Sequence, residues 1–358
     1  MSKIFLTISI PTFNRASKLE AQLTSLHQLI LKSQFEENIE LLVSDNCSTD
    51  STQSIIKHFS CLERKYIFSS YRNEINIGSD GNTGQVILRA KGRFAWYLSD
   101  DDIAHEDAID HIFQSLSENQ EIGLCFVNFY LEPLSKIPAV NIGNGHDVLV
   151  KNINEFVSET MCAEGMCTSL IFRKSLLSRD SLVEVKEVAS YEYPLGGGYP
   201  HLWWGLSILE NHKALIIKTP LFTVIHPGVR ETREGASMRE DTVDFYFKAH
   251  LNFLQYASHL FRITSGNLLR MKIYRLSINE NLNQIIYHKI TTKNLGYNFQ
   301  ALRLALPAMV RKFYFSPSFW IIHMPLLLLP SYVAKFFEPL RWKYLALRGL
   351  IGNAIRKL

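Results

Sequence analysis

Cysteine is scarce in this sequence, and the few that are present lack the close pairing of a zinc site. The five are Cys47, Cys61, Cys125, Cys162 and Cys167. The chain opens directly with an apolar, β-branched stretch, without the basic and apolar segments of a secretory signal, so we expect no such signal. We therefore interpret the cysteines as reduced cytosolic thiols, most of them in the protein core.

Long apolar runs are also missing. The most apolar stretch covers residues 319–337, but Pro325 and Pro330 interrupt it and His323 lies inside it. Its uninterrupted length falls short of the roughly 20 residues that span a bilayer. Charged residues make up 20% of the chain and apolar residues 47%, which is typical of a globular protein and argues against disorder. A chain of 358 residues can bury a full core, so we expect one large domain with an accessory part.

Acidic residues become rare towards the end of the chain. Residues 1–240 hold 22 Lys and Arg against 30 Asp and Glu, a net charge of −8, whereas residues 241–358 hold 16 against 4, a net charge of +12. Within residues 335–357 the cations alternate with aromatic and leucine side chains, a pattern typical of a helix lying in a membrane interface. We predict that residues 241–358 form a basic helical extension that binds an anionic membrane surface. A basic helix packed against the rest of the protein is the alternative.

Strands alternate with helices over the first 130 residues. This pattern predicts an α/β fold with a Rossmann-like, mostly parallel sheet flanked by helices. Polar residues follow successive strands: the turn Pro11–Arg15, then Asp45, then a cluster of three aspartates. Because the carboxyl ends of parallel strands meet at one rim, where open α/β sheets bind ligands, we expect these side chains to form a site.

The acidic cluster is the most informative of these features. Residues 94–98 form an apolar, aromatic-rich run of strand length, and Asp100, Asp101 and Asp102 follow it after Ser99. Adjacent anions repel one another unless a cation lies among them. Carboxylate oxygens suit Mg²⁺ and Mn²⁺, so the three aspartates are predicted metal ligands. The alternative is a solvated acidic turn that caps the following helix.

Four motifs, taken together and in order, resemble those of family-2 glycosyltransferases with the GT-A fold. They are Ile8–Arg15, Leu42–Asp50, Asn73–Gly78 and Tyr97–Asp102. The resemblance covers residues 3–130 well and 160–228 loosely. It implies an enzyme that moves a sugar from a nucleotide-diphosphate donor to an acceptor hydroxyl, with Mn²⁺ or Mg²⁺ as cofactor.

The resemblance also implies a division of the chain. Residues 1–240 would form the GT-A catalytic domain, with a nucleotide-sugar-binding half at 1–130 and an acceptor-binding half at 131–240. Residues 241–358 would be the basic helical region described above. The enzyme would then work as a peripheral protein at the cytoplasmic face of the inner membrane.

Donor-binding roles follow from the resemblance, residue by residue. The residues implied at the nucleotide-sugar are Pro11, Thr12, Phe13, Asn14, Arg15, Asp45, Asn76, Gly78 and Asp100. Asp45 would accept a hydrogen bond from the base, although a turn-forming role is the alternative. Asp101 or Asp102 would be the direct metal ligand. The family usually has an Asp where this chain has Ser99, so the choice among the three aspartates stays open.

The leaving group and the acceptor need further residues. Negative charge develops on the departing diphosphate, and a basic segment can neutralise it, for which Arg230 and Arg233 are candidates. His226 is a candidate contact to the metal or diphosphate, with an ordinary turn residue as the alternative. An inverting transfer needs a general base, and His201 comes first among the candidates, followed by Glu192 and Glu164.

The acceptor is expected to be a lipid-linked saccharide, such as a polyprenyl-linked O-antigen precursor of lipopolysaccharide. The acidic motif is also similar to that of deoxysugar transferases of the abequosyltransferase kind. A nucleotidyltransferase is one alternative, but it would need a Gly-rich loop with Lys or Arg after the first strand. A nucleic-acid-binding protein that uses the basic tail is another. The acidic residues 1–240 argue against it, so no nucleic-acid partner is expected.

Overall fold

The computed structural model describes the larger part of the chain. The described residues are 4–132, 135–140, 142–160, 163, 166–177, 200–225, 253, 256–257, 259–274, 310, 319–329 and 331–336. Several predicted site residues lie outside them, namely Glu164, Glu192, His226, Arg230 and Arg233, and so does Cys162.

Ten strands of the described chain form one sheet. They are β1 (Leu6–Thr12), β2 (Ile39–Asp45), β3 (Ile67–Arg72), β4 (Phe94–Tyr97), β5 (Ile103–Ala104), β6 (Leu124–Glu132), β7 (Ser135–Pro138), β8 (Val148–Val150), β9 (Leu170–Arg173) and β10 (Ala214–Ile225). The strand order is β3-β2-β1-β4-β9-β6-β10-β5, with β7 beside β6 and β8 beside β10.

The sheet is parallel in one part and mixed in the other. Strands β3, β2, β1 and β4 run parallel, as the sequence predicts. Strand β9 is antiparallel to both of its neighbours, β4 and β6, while β6 and β10 are again parallel. The expected mostly parallel sheet is therefore interrupted after the first four strands. Strand β9 therefore starts at the rim where β4 ends. This direction brings the segment before β9 next to the acidic cluster.

Helices occur along the described chain, and the first six in chain order contact strands of the sheet. They are α1 (Ala16–Lys32), α2 (Thr52–Ser60), α3 (Gly78–Arg89), α4 (Ala108–Glu118), α5 (Ile153–Thr160), α6 (Pro200–Leu209), α7 (Asn267–Ile273), α8 (Met324–Leu328) and α9 (Ser331–Phe336). Short 3-10 turns cover Glu36–Asn38, Cys167–Ser169 and Lys174–Leu176, and a π-helical turn covers Phe319–His323. Helix α1 shows why these segments are helical: Leu19, Leu23, Leu26 and Ile30 recur at helical spacing and are fully buried.

The core lies on both faces of the sheet. Consecutive residues of β2, Leu41, Leu42 and Val43, are all fully buried, although their side chains point to opposite faces. Both faces must therefore be covered, which is the usual state of a parallel sheet. Strand β3 has only β2 as a partner among the described strands and is largely exposed.

Some local expectations need correction. Of the four described cysteines only Cys125 is buried, whereas Cys61 is exposed and Cys47 and Cys167 are intermediate, so most are not core residues. Strand β10 is continuous over residues 214–225, with an irregularity in its pairing between Ile217 and Phe222. Pro220 lies in that irregularity, and it has no N–H to donate to a neighbouring strand.

Only parts of the basic C-terminal region are described. The described stretches at 259–263, 267–273, 319–328 and 331–336 are helical, and the predicted helical extension as a whole stays a prediction. Within the described residues, none of the helices combines the length and the apolar character that crossing a bilayer requires.

Candidate active site

The parallel strands bring the predicted motifs to one rim. In the β1–β2 register Thr12 lies opposite Asp45, and in the β2–β3 register Asp45 lies opposite Arg72. Strand β4 runs beside β1, and the Leu98 N–H donates to the Ser9 carbonyl at 3.0 Å. The residues that follow β4, Ser99 to Asp102, are called the acidic loop below. The loop therefore lies beside the turn that follows β1.

Asp100 is held by residues from that turn. The Thr12 hydroxyl donates to Asp100 Oδ2 at 2.9 Å, and Arg15 Nη1 lies 2.5 Å from Asp100 Oδ1. Asp100 is only 3% exposed. Burial raises the pKa of Asp100 to about 6, because the Arg15 charge and the Thr12 hydrogen bond offset only part of the desolvation cost and Asp101 adds repulsion.

Asp101 forms ion pairs with two cations of the described chain, whereas Asp100 forms one. Arg15 Nη2 forms an ion pair with Asp101 Oδ2, and Lys18 Nζ lies 3.5 Å from the same oxygen. The Ser99 hydroxyl donates to Asp101 Oδ1 at 2.6 Å, so the residue that departs from the family pattern supports the neighbouring acid. Burial acts to raise the pKa of Asp101, but Arg15, Ser99 and Lys18 outweigh it and the pKa is lowered. Asp101 therefore stays ionised.

Asp102 is held from the other part of the sheet. The Thr168 hydroxyl donates to Asp102 Oδ2, and the pKa of Asp102 also responds to a hydrogen bond from the Ile225 backbone. Burial, together with the charges of Asp101 and Asp100, raises the pKa of Asp102 to about 7 despite these bonds. Sequence reasoning missed Thr168. It lies 66 residues from Asp102 in the chain, and no local pattern links the two.

Asp45 is fully buried at the end of β2. The Ser48 N–H donates to Asp45 Oδ1 at 2.9 Å, which is the turn-forming role that the sequence left as an alternative. Gln53 Nε2 lies 2.5 Å and Arg72 Nε 3.6 Å from Asp45 Oδ2. The second oxygen therefore faces polar groups at the rim, and its role towards a nucleotide base stays a prediction.

The turn after β1 is bonded to the turn after β2. Asn14 has a positive φ of 51°, which Asn tolerates better than most residues. Its N–H donates to the Ser48 hydroxyl at 2.8 Å, and its side-chain oxygen accepts the Thr49 N–H at 2.7 Å. The Pro11–Arg15 turn, including Phe13, is thereby fixed against the segment that contains Asp45.

A third loop joins through Asn46, which sequence reasoning did not single out. Asn46 Nδ2 donates to Asn76 Oδ1 at 2.7 Å and to the Gly78 carbonyl at 3.1 Å, and Asn46 Oδ1 accepts the Ile77 N–H at 3.0 Å. Gly78 has a φ of 80°, a conformation that favours glycine. The predicted residues Asn76 and Gly78 are therefore at the rim, at the start of α3.

The candidate bases do not all fall in the described chain. His201 lies in α6, which packs on β6 and β9, and its side chain is 1% exposed. Glu192 and Glu164 lie outside the described residues. The assignment of the base to one of these three stays a prediction.

The acidic loop supplies carboxylate oxygens, which are the type of ligand that divalent cations such as Mn²⁺ and Mg²⁺ prefer. Among the described residues, no three His, Cys, Asp or Glu side chains are gathered in a geometry that could hold a metal ion. Arg15 nevertheless bridges Asp100 and Asp101, so these carboxylates lie close enough to share one positive group. The loop has three carboxylates against two cations, Arg15 and Lys18. Burial is the main cause of the raised pKa values of Asp100 and Asp102, and repulsion between the aspartates adds to it. Hard oxygen ligands with uncompensated charge are what Mn²⁺ and Mg²⁺ bind.

Comparisons with known proteins agree with this geometry. A family model described as Glycosyl transferase family 2 matches residues 7–173, which contain all four motifs. The chain is 31% identical to the abequosyltransferase RfbV of Salmonella typhimurium strain LT2 over 286 residues, 75% of this chain and 80% of that protein. It is 28% identical over 113 residues to the GalNAc(5)-diNAcBac-PP-undecaprenol beta-1,3-glucosyltransferase of Campylobacter jejuni, covering 32% of this chain and 35% of that protein.

The fold has a counterpart among solved structures. The crystal structure of S. aureus TarS residues 1–349 with UDP-GlcNAc matches with a TM-score of 0.51 at 15% identity, covering 85% of this chain and 83% of that chain. This likeness confirms the predicted GT-A fold, with a mixed sheet flanked by helices in place of the mostly parallel sheet that was expected. Because the Salmonella relative is matched over most of both proteins and the four motifs meet at one rim, the chain belongs to glycosyl transferase family 2.

Proposed function

We propose that this glycosyltransferase moves a sugar from a nucleotide-diphosphate donor to a hydroxyl of a lipid-linked saccharide, in the synthesis of a bacterial cell-surface polysaccharide such as an O-antigen. The observation that carries the proposal is the meeting of the Pro11–Arg15 turn, Asp45 and the acidic loop at one rim. The Campylobacter relative is named for an undecaprenol-linked saccharide, which supports an acceptor of that class. The nucleotidyltransferase and nucleic-acid-binding alternatives receive no support from the comparisons.

Donor binding needs groups for the base and for the diphosphate. Asp45 would accept a hydrogen bond from an N–H of the base, beside the turn that carries Asn14. Arg15 and Lys18 place two positive charges at the acidic loop, where they would attract the diphosphate. The same charges would stabilise the negative charge that grows on the diphosphate as its bond to the sugar breaks.

We propose Mn²⁺ or Mg²⁺ as the cofactor of this step. Asp101 and Asp102, with Asp100 beside them, would hold the ion. When bound there, it supplies a Lewis acid that neutralises the leaving diphosphate. The remaining step, removal of the proton from the acceptor hydroxyl, belongs to His201, Glu192 or Glu164 in this proposal.

Hydrolysis of a donor panel tests the proposal. The full chain is incubated with UDP-, GDP-, CDP- and dTDP-sugars, with and without Mn²⁺, and free nucleoside diphosphate is measured. We expect metal-dependent release from one donor class, and its loss in Asp101→Ala. Glu106→Ala is the matched control, because Glu106 lies just beyond the loop and its side chain is 83% exposed. No release from any donor by the wild-type enzyme, or full release by Asp101→Ala, would contradict the proposal.

We also propose that residues 241–358 attach the enzyme to anionic lipid at the cytoplasmic face of the inner membrane. Their net charge of +12 favours such a surface. Large apolar side chains there are exposed, including Ile321 at 74% and Phe336 at 78%, and a lipid interface would cover them.

Sedimentation with vesicles tests the attachment. The full chain should pellet with vesicles that contain phosphatidylglycerol and should stay in the supernatant with pure phosphatidylcholine. A chain that ends near residue 315 should remain soluble with both and keep its donor hydrolysis. If the truncated chain still pellets with the anionic vesicles, the proposed attachment is wrong.

A further inference from the structure

The acidic loop has contacts from two distant parts of the chain. The residues at the beginning of the chain that hold it are Thr12, Arg15, Lys18 and Gln22, whose Nε2 donates to the Ser99 carbonyl at 2.9 Å. From the mixed part of the sheet, the Ile225 backbone bonds to Asp102, and a side-chain contact comes from Thr168, in the 3-10 turn before β9. Thr168 is 1% exposed.

The Thr168 hydroxyl bonds to both ends of the loop. It donates its proton to Asp102 Oδ2, and its oxygen accepts the Ser99 N–H at 3.2 Å. The backbone carbonyl of Thr168 accepts a hydrogen bond from Trp96 Nε1 at 2.8 Å, which links its position to β4. A hydroxyl has one proton to donate and lone pairs to accept, so a single side chain can make both loop contacts.

No apolar side chain of the same shape could replace these contacts. Valine would fill the same volume but would leave the Ser99 N–H and the Asp102 carboxylate without this partner. Asp102 would then keep its bond from the Ile225 backbone but lose the one from Thr168 that sets its direction. Serine keeps the hydroxyl and loses only a methyl group, so it should keep the contacts.

We propose that Thr168 is a positioning residue, which aims the Asp102 carboxylate and fixes the start of the acidic loop for binding of a nucleoside diphosphate with a divalent cation. The proposal rests on the proposed function. Residues that hold a metal ligand through a hydrogen bond typically change metal affinity by about 10- to 100-fold when they are replaced. Thr168→Val should therefore weaken binding that depends on Mn²⁺ and should leave binding without Mn²⁺ nearly unchanged.

Calorimetric titration of the full chain tests this. UDP, GDP, CDP and dTDP are titrated with and without Mn²⁺ into the wild type, Thr168→Val, Thr168→Ser and Thr160→Val. Thr160 is a matched control because it is fully buried and its hydroxyl makes no hydrogen bond with the described residues. We expect Thr168→Val to lose about tenfold or more in Mn²⁺-dependent affinity. Thr168→Ser and Thr160→Val should stay near the wild type.

The outcomes separate the two proposals. If the wild type binds no nucleoside diphosphate in an Mn²⁺-dependent way, the proposed function fails and this inference falls with it. If the wild type binds and Thr168→Val binds equally well, only the inference is wrong.

Circular dichroism and a melting curve report whether the variants fold, and Thr168→Ala serves as a second variant. If both Thr168→Val and Thr168→Ala fail to fold, Thr168 is a structural residue and the inference is overturned.

Discussion

The parallel and the mixed parts of the sheet contribute to the site in different ways. In the parallel part, strands β1 to β4 end in turns whose polar residues lie at one rim, and cations hold Asp100 and Asp101. From the mixed part, a neutral hydroxyl holds Asp102. The pKa of Asp101 is lowered whereas that of Asp102 is raised to about 7. Burial raises the pKa of both Asp100 and Asp102, whereas at Asp101 the combined effect of Arg15, Ser99 and Lys18 outweighs burial. Neighbouring carboxylates in one loop can thus differ in charge.

Replacing Arg15, the cation shared by Asp100 and Asp101, should have the largest effect on the difference between the two parts of the sheet. In Arg15→Gln, Asp100 and Asp101 lose the guanidinium that bridges them, and the diphosphate loses a positive partner. We expect donor turnover to fall by about 10²- to 10³-fold. The free energy of unfolding should fall by about 2 kcal/mol at pH 8, because a buried carboxylate is left without its ion pair.

Nucleotide release and urea denaturation measure these two effects. Lys32→Gln is the control, since Lys32 pairs with Glu106 at 3.1 Å on the exposed surface and should change neither quantity much. An Arg15→Gln enzyme with wild-type turnover would contradict a role for Arg15 at the diphosphate.

A milder change sharpens the comparison between the two hydroxyls. Thr12 donates to Asp100 as Thr168 donates to Asp102, but Asp100 also has Arg15. Thr12→Val should therefore lower the free energy of unfolding by about 1 kcal/mol. It should also weaken nucleotide binding less than Arg15→Gln does. Urea denaturation and calorimetry measure these effects. If Thr12→Val loses more stability or nucleotide affinity than Arg15→Gln, the Thr12 hydroxyl and not the Arg15 charge is the more important partner of Asp100.

The smallest effect is expected away from the rim, where His111 Nε2 lies 3.7 Å from Asp147. The Asp147 hydrogen bond raises the pKa of His111, so its contribution to stability is complete below pH 6.5 and is lost as the pH rises through the raised value. Burial acts to raise the pKa of Asp147, but His111 and other hydrogen bonds lower it. The contribution of Asp147 is therefore present above pH 3.8 and is lost as the pH falls through the lowered value.

Both contributions coexist between pH 3.8 and 6.5. His111→Gln should therefore destabilise the protein most near pH 5, by less than about 1 kcal/mol because the pair is partly exposed, and very little at pH 9. Thermal unfolding at the two pH values measures the difference. An equal loss at both would mean that packing, not charge, explains the effect.

Predictability from the sequence differs between the two parts of the sheet. Asp45 and the acidic loop could be found because each follows a strand directly, and parallel strands bring such positions together. Asn46 was missed, since an Asn beside an Asp in a turn has no distinguishing pattern. Thr168 could not be found at all, because its contact with Asp102 depends on the antiparallel direction of β9. That direction follows from packing and not from any local signal.

The bonds between the turns after β1 and β2 have a consequence for how the enzyme meets its donor. Asn14, Ser48 and Thr49 hold each other in one arrangement before any ligand arrives. The conformational entropy of ordering these turns is therefore lost during folding and not during association, so this side of the rim is preorganised. A nucleotide that binds at this side of the rim should meet a surface that already has its bound shape. Loosening the turn at Ser48 should weaken association without removing any residue assigned to the donor.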